Sequence, residues 1–369
     1  MSAKCKYAFR KKDFLDGGII TGIILAIALV LLLVGIGTQV FDPVGQALKN
    51  YHLSDGFFYT RASRSGKLPE LNPDVYLVDI GGCDSREEIA GIVNRINEAA
   101  PRLLAVDIIF GKAASMTPEG DSALVSAFRA SDRLVLARRF DEGPDGWVVE
   151  RSFFADELDC VEGDVDFDYG IVRSFSPTVT IDGQEYPTFV GQIARLGGIR
   201  ETFRRQLINF TPVSTPCLTP DQLSAAELLK DRIVILGDRG DYRDFHDIPV
   251  LMDGRPRTSG MDINAQCLFT LSPKKGFTDC PEWLSVLIGL VLTYLFCTFI
   301  ASPMSRLERF SGLWISIWQV AVLILLLALT FFLFWGLRFN MPLKYWLLGV
   351  GFSGLATELF GFICKKREK

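Results

Sequence analysis

Four long apolar stretches constrain this chain more than any other feature of its sequence. They cover residues 17–41, 283–301, 312–337 and 345–364, and Glu358 is the only charged residue inside them. A transmembrane helix needs about 20 mainly apolar residues, and each stretch is close to or above that length. The sequence therefore predicts four transmembrane helices, one before and three after a long segment of mixed composition.

The basic residues predict how these helices are oriented. Lysine and arginine concentrate in the N-terminal tail (residues 1–16), in the connection between the second and third spans, and in the C-terminal tail (residues 365–369). The remaining short connection carries only Arg338 and Lys344. By the positive-inside rule we expect both termini in the cytoplasm. We thus expect a multi-pass membrane protein, with the lipid bilayer as one partner and residues 42–281 outside the cytoplasm.

The exported segment alternates apolar runs of strand length with amphipathic helical patterns. This alternation is typical of a parallel sheet covered on both faces. The fold class is therefore predicted as α/β, a single domain with a mostly parallel sheet covered by helices. Turn signals at residues 143–146 and 182–183 add a region of edge hairpins. The predicted strands cover 75–80, 103–110, 134–137, 207–210 and 232–236, and the predicted helices cover 42–62, 86–99, 118–131, 187–197, 220–230 and 259–271.

Composition and missing motifs exclude several functions. A net charge of −4 offers no positive field for nucleic acid, which we do not expect as a partner. Two histidines, His52 and His246, disfavour a histidine-rich metal site or a Ser-His-Asp triad. There is no Walker-type phosphate loop, nucleophile elbow or H-E-x-x-H motif. We therefore expect no catalytic residues, no cofactor and no enzymatic activity, and the eight cysteines show no C-x-x-C pair.

Aspartates at the ends of predicted strands form the candidate ligand site. Asp79, Asp107 and Asp238 each end or follow an apolar run, and Asp244 lies close behind the last of them. Ligands of open α/β sheets bind beyond the carboxyl ends of the strands, so these carboxylates would suit a divalent cation or a cationic or hydroxyl-rich ligand. The alternative is that each aspartate caps a helix or ties down a loop. Further members considered for this set are Asp121, His246 and Asp247.

An ordered series of short motifs resembles the type-two CHASE domain family, an extracytoplasmic sensory module of bacteria. The resemblance covers about residues 55–272 and extends to the plan of one span before and three after. It implies sensing of a ligand or stress and carries over no catalytic residues. It also implies that the membrane is the bacterial inner membrane and that residues 42–281 lie in the periplasm. The family's usual histidine near the end of the domain appears here as Asn264. The matching motifs are residues 75–80, 105–110, 121–128, Asp166, Gly170, Val172, Arg173, 187–189, 228–237, Asp244, Pro249 and 259–265.

Members of that family usually continue into a cyclase, kinase or phosphodiesterase, whereas this sequence ends at Lys369. We therefore expect a receptor-like subunit that binds a small molecule or a protein outside the cell. Its state would be relayed to a separate membrane or cytoplasmic protein. Two alternatives remain open: a structural or assembly subunit of an envelope complex, and an enzyme that uses the aspartates with a metal.

Overall fold

The computed structural model describes most of the chain, as two compact units. Residues 50–276 form one unit, and residues 1–49 together with 277–369 form the other. The described residues are 11–33, 55–56, 58, 70–112, 117–144, 146–167, 170–252, 255–304, 311–341 and 344–367.

The first unit is a mixed α/β domain. Its helices are α2 (Arg86–Glu98), α3 (Pro118–Arg129), α4 (Phe189–Leu196) and α5 (Gly260–Leu271). Its strands are β1 (Glu70–Leu71), β2 (Val75–Asp79), β3 (Leu103–Val106), β4 (Leu134–Gly143), β5 (Gly146–Arg151), β6 (Val161–Asp164), β7 (Ser174–Phe175), β8 (Thr178–Ile181), β9 (Gln184–Pro187), β10 (Gln206–Leu207), β11 (Val213–Ser214), β12 (Cys217–Leu218), β13 (Ile233–Gly237), β14 (Phe245–Met252) and β15 (Arg255–Ser259).

Seven of these strands build the central sheet. Its order is β12-β2-β13-β3-β4-β5, and β6 also pairs with β4. Every pairing is parallel except that of β4 with β5, an antiparallel hairpin that runs from Arg138–Arg151 to Gly143–Gly146. The prediction of a mostly parallel sheet with an edge hairpin is confirmed. The second predicted hairpin also exists, but β8 and β9 form a separate two-stranded sheet instead of an edge of the main one.

Alternating strand residues bury both faces of the sheet. Val78, Leu104 and Leu136 pack with α2 and α3, in a core cluster that includes Ile92 and Phe128. The neighbouring residues on each strand point to the opposite face, where α4 and α5 contact the sheet. Burial on both sides explains why these strands are continuously apolar in sequence.

Side-chain caps fix where the helices begin. Ser85 accepts a hydrogen bond from Glu88 N at the start of α2, and Thr117 accepts one from Gly120 N at the start of α3. Such caps satisfy backbone donors that have no partner inside the helix. The predicted helices over 86–99, 118–131, 187–197 and 259–271 are confirmed to within two or three residues at either end.

Some local predictions were wrong or only partly correct. The strand expected over 207–210 consists of Gln206–Leu207 alone, and the helix expected over 220–230 is a 3-10 helix, Pro220–Leu229. The predicted strand over 103–110 stops at Val106. Most of the helix expected over 42–62 lies outside the described residues, although Asp55, Gly56 and Phe58 are helical.

The described part of the second unit consists mainly of four helices. They are α1 (Lys11–Leu33), α6 (Glu282–Met304), α7 (Ser311–Gly336) and α8 (Lys344–Arg367), with the short strands β16 (Thr278–Asp279) and β17 (Phe339–Asn340) paired in parallel. Small residues lie at close contacts between helices: Gly17 of α1 lies against Thr298 of α6, and Gly349 of α8 lies against Thr293 of α6. Small residues at such positions allow two helices to approach closely.

Two of these helices are long and apolar enough to cross a membrane by length and composition. They cover Glu282–Ile300 and Ser316–Gly336, with mean hydropathies of 2.2 and 2.6, and Gly349–Ile363 is a shorter apolar helix. The prediction of four spans is therefore supported for two of them. Residues 34–41 of the first predicted span lie outside the described residues.

Candidate functional site

The predicted aspartates lie at one edge of the sheet, because their strands are neighbours. β13 lies between β2 and β3, with Gly237 opposite Asp79 and Leu236 opposite Val106. Asp79 therefore ends β2, while Asp107 and Asp238 directly follow β3 and β13. Because the three strands are neighbours, their carboxyl ends bring these carboxylates to the same edge of the sheet.

Asp79 and Asp238 meet around the turn that follows β2. A Cβ atom on Gly81 would lie 3.0 Å from Oδ1 of Asp238 and 3.2 Å from Oδ1 of Asp79. Both carboxylates accept backbone hydrogen bonds: Asp79 from Gly81 N at 2.9 Å and Arg239 N at 3.0 Å, and Asp238 from Gly240 N at 2.9 Å. These contacts tie down the loops after two strands, as the alternative interpretation proposed.

Asp107 and Asp244 form a second group on the other side of β13. Oδ2 of Asp107 accepts a hydrogen bond from Asn264 Nδ2 at 3.0 Å, and Oδ2 of Asp244 accepts one from Gly260 N at 2.9 Å. Burial raises the pKa of Asp107 to about 7; the negative charge of Asp244 adds to the rise and the Asn264 donor opposes it. A carboxyl group that binds its proton so strongly is a common mark of functional sites.

The further candidates have structural partners. Asp121 forms an ion pair with the nearly buried Arg86, and Asp247 pairs with Arg257 at 3.1 Å. His246 Nε2 lies 3.3 Å from Oδ1 of Asp244. Within the described part of the chain no group of three or more His, Cys, Asp or Glu side chains could hold a metal ion.

A cavity of about 740 Å³ lies beside the second group of aspartates. It is bounded by the carboxyl ends of β4 and β6, by the β8 strand, and by Asn264, whose side chain binds Asp107. A volume of this size is typical of sites for small molecules. Its lining includes Arg139, Phe140, Asp141, Trp147, Asp164, Asp166, Phe167, Gly170, Phe175, Val179, Thr188, Arg205, His246 and Asn264.

The charged groups of the cavity are partly paired with each other. Arg139 Nε donates to Oδ1 of Asp166 at 3.0 Å, and Arg205 Nη2 donates to Ser174 Oγ at 2.8 Å. Asp164 differs, because it is buried and its Oδ1 has no hydrogen-bond partner among the described residues. Burial, and secondarily the charge of Asp166, raises the pKa of Asp164 to about 7.

Sequence reasoning missed Asp164, although the rule that selected Asp79 and Asp107 applies to it. Asp164 ends a strand that pairs in parallel with β4. That strand reads Val-Glu-Gly-Asp, which carries no apolar pattern to reveal it. Gly163 allows it to pack closely, since a Cβ there would lie 2.5 Å from the Cα of Phe189.

The described cysteines are free thiols and carry no disulfide. Burial raises the pKa values of Cys83 and Cys217, and raises that of Cys160 to about 11, so these thiols are poor nucleophiles. The six described cysteines are Cys83, Cys160, Cys217, Cys267, Cys280 and Cys297.

The fold and the cavity together define an α/β domain with a small-molecule type of cavity at the carboxyl ends of its strands, in a chain that also carries apolar helices. The chain belongs to the CHASE2 domain family, an extracytoplasmic sensory family whose model matches residues 26–301. No curated protein and no solved structure matches the chain significantly.

Several residues that carry the family resemblance have physical roles at or near the cavity. Asp166, Gly170 and Thr188 line it, and so does Asn264, which replaces the family's usual histidine. Gly170 has a φ of +87°, which favours glycine. Thr188 accepts from Gly191 N and donates to Ser176 O, so that it fixes the start of α4 at the cavity wall.

Proposed function

We propose that this protein is a membrane-anchored sensory subunit that binds a small molecule in the 740 Å³ cavity and relays its state to a separate protein. It carries out no chemical conversion of its ligand in this proposal. The observation that supports it most is the position of the cavity: in a domain of a sensory family, at the strand ends, lined by residues that carry the family resemblance.

Relay requires that the ligand binds one conformation of the domain more tightly than another. The effect of a ligand cannot exceed this difference in affinity. The chain supports such coupling by its connectivity, because the α/β unit of residues 50–276 is flanked in sequence on both sides by segments of the helical unit. A conformational change in the α/β unit can therefore be transmitted to the helical unit through both chain connections. The partner protein would respond to the altered conformation of the helical unit.

The proposal places the α/β unit outside the inner membrane and both termini in the cytoplasm. A membrane-impermeant maleimide applied to intact cells tests this placement. Cys160 is a poor reporter because its pKa is about 11, so a thiol is introduced at the exposed edge residue by Val148→Cys. We expect labelling of Val148→Cys in intact cells and of Lys369→Cys only after lysis. Labelling of Lys369→Cys in intact cells contradicts the placement.

A second candidate function, that of an assembly subunit, is favoured by the edge strand β5. Trp147, Val148 and Val149 of this strand are 40%, 59% and 45% exposed. An exposed apolar edge strand can pair with another protein by strand addition. In that case the cavity would be irrelevant to partner binding.

One purification experiment separates the two candidates. The tagged full chain is purified in mild detergent, and the co-eluting proteins are compared for two variants of the β8–β9 hairpin. Val179→Trp places an indole in the cavity, whereas Glu185→Trp changes an exposed residue of the same hairpin outside the cavity lining. For a sensor we expect Val179→Trp, and not Glu185→Trp, to alter the amount or phosphorylation of a co-eluting signalling protein. Recovery of envelope-assembly proteins, equal for both variants, supports the alternative.

A further inference from the structure

Asp164 is a buried carboxyl group of the cavity wall that the protein pairs only in part, through a hydrogen bond from the backbone of Asp166. It is only 5% exposed, and its Oδ1 has no hydrogen-bond partner among the described residues. A buried polar atom without a partner costs about 1–3 kcal/mol. Folded proteins usually pair such atoms, so an exception on the wall of a cavity points to a partner supplied by a ligand.

Arg138 and Arg139 act on Asp164 through their charge, which lowers its pKa, but neither forms an ion pair with it among the described residues. Arg139 is engaged by Asp166, and Arg205 donates to Ser174. Arg138 lies opposite Asp164 in the β4–β6 register, but its guanidinium lies over the rings of Phe140 and Tyr186, at 5.0 and 5.2 Å from their centroids. It forms no ion pair with Asp164 in the described structure.

The lining groups and the surface of the cavity also favour a cationic partner for Asp164. Three carboxyl groups, Asp141, Asp164 and Asp166, and two guanidinium groups, Arg139 and Arg205, line it, so the lining has one more acidic group than guanidinium groups. Aromatic rings form part of the wall, and ring faces attract cations. The rings are those of Phe140, Trp147, Phe167 and Phe175.

We propose that the ligand of this cavity is an organic cation that bears at least one N–H group, which donates to the carboxylate of Asp164 while its apolar part packs against the aromatic wall. This inference rests on the proposed sensory function and names the class of ligand. The raised pKa of Asp164 is consistent with it: near neutral pH the carboxyl group can release its proton when a cation binds.

Three compounds that share one phenyl group and differ in the polar end test the proposal. They are 2-phenylethylammonium, the neutral 2-phenylethanol and the anionic 3-phenylpropanoate, each titrated calorimetrically into the full chain in mild detergent. We expect the ammonium compound to bind at least tenfold more tightly than either of the others. This comparison uses the unmodified protein and therefore does not depend on the folding of a variant.

Two matched variants locate the interaction. Asp164→Asn should weaken binding of 2-phenylethylammonium at least tenfold, and Asp141→Asn, which removes the same charge at an exposed position of the cavity wall, should change it less than threefold. Near-ultraviolet circular dichroism checks that both variants fold.

The inference is overturned if the alcohol or the carboxylate binds as tightly as the ammonium compound, if none of the three binds, or if Asp164→Asn binds normally. None of these results decides the sensory role. That role is judged separately, by the effect of Val179→Trp on the co-eluting proteins.

Discussion

Asn264 of α5 donates a hydrogen bond to Oδ2 of Asp107, at the carboxyl end of β3, across 3.0 Å. The two residues lie 157 positions apart in sequence. Because Asn264 also lines the cavity, this bond connects the edge of the sheet that carries the aspartates with the cavity wall. The sequence had indicated Asn264 only as a departure from the family's usual histidine.

The raised pKa of Asp107 predicts a pH-dependent stability. Its folded pKa is about 7, against 3.8 as the ordinary value, so the folded state holds the proton more tightly than the unfolded state. Stability from this group is present below about pH 4 and is lost as the pH rises to about 7. We expect Asp107→Asn to match the wild type at pH 4 and to exceed its free energy of urea unfolding by about 4 kcal/mol at pH 8, since each pKa unit corresponds to about 1.4 kcal/mol. Asp132→Asn, at an exposed residue, is the control; if its difference from the wild type varies with pH in the same way, the explanation is wrong.

Gly260 at the start of α5 should not tolerate a side chain. A Cβ atom there would lie 2.6 Å from Oδ2 of Asp244, the same oxygen that accepts the Gly260 N–H. We expect Gly260→Ala to lower the free energy of unfolding by about 1–3 kcal/mol. Gly91→Ala in α2, where a Cβ has nothing within 4 Å, should instead raise it by about 0.5–1 kcal/mol. Equal effects of the two substitutions on urea unfolding would contradict this account.

The ion pair between Arg86 and Asp121 should stabilise the packing of α2 against α3. The Arg86 side chain is 5% exposed, so loss of Asp121 leaves a buried charge without its partner. We expect Asp121→Ala to cost about 3 kcal/mol in chemical unfolding. Asp156→Ala removes a partner of Arg151 that is 85% exposed, and no measurable change is expected. If Asp121→Ala leaves the free energy of unfolding unchanged, this ion pair is not needed for stability.

Gly349 should be required for close packing within the helical unit. A Cβ at this position would collide with the side chain of Thr293 on α6, whereas Gly351, two residues further along α8, has nothing within 4 Å. We expect Gly349→Leu to destabilise the unit by about 1–3 kcal/mol, seen as a lower midpoint in thermal unfolding in detergent. Gly351→Leu should leave the midpoint unchanged. If Gly351→Leu is the more harmful of the two, the contact with Thr293 does not limit packing.

Local signals predicted the elements that depend on neighbouring residues. The amphipathic pattern over 86–99 predicted α2 nearly to the residue, because both the apolar spacing and the cap at Ser85 depend only on residues a few positions apart. The prediction of a strand over 207–210 was correct only at Leu207. An apolar run forms a strand only where a neighbouring strand pairs with it, and here the pairing ends at Leu207. The aspartates of the sheet edge were placed correctly, but their backbone partners, such as Arg239 N on Asp79, could not be read from the sequence.

The sequence by itself determined the alternation of elements, the parallel sheet, the apolar helices and the resemblance to an extracytoplasmic sensory family, since each follows from the order and spacing of residues along the chain. Only the tertiary structure decided where the cavity lies and that Asp164 stands in it without a partner at Oδ1. The walls come from strands, loops and α5, which are separated by up to 125 residues, from Arg139 to Asn264. Their meeting depends on long-range strand pairing and on the close approach of Gly163 to Phe189, neither of which leaves a periodic signal in the sequence.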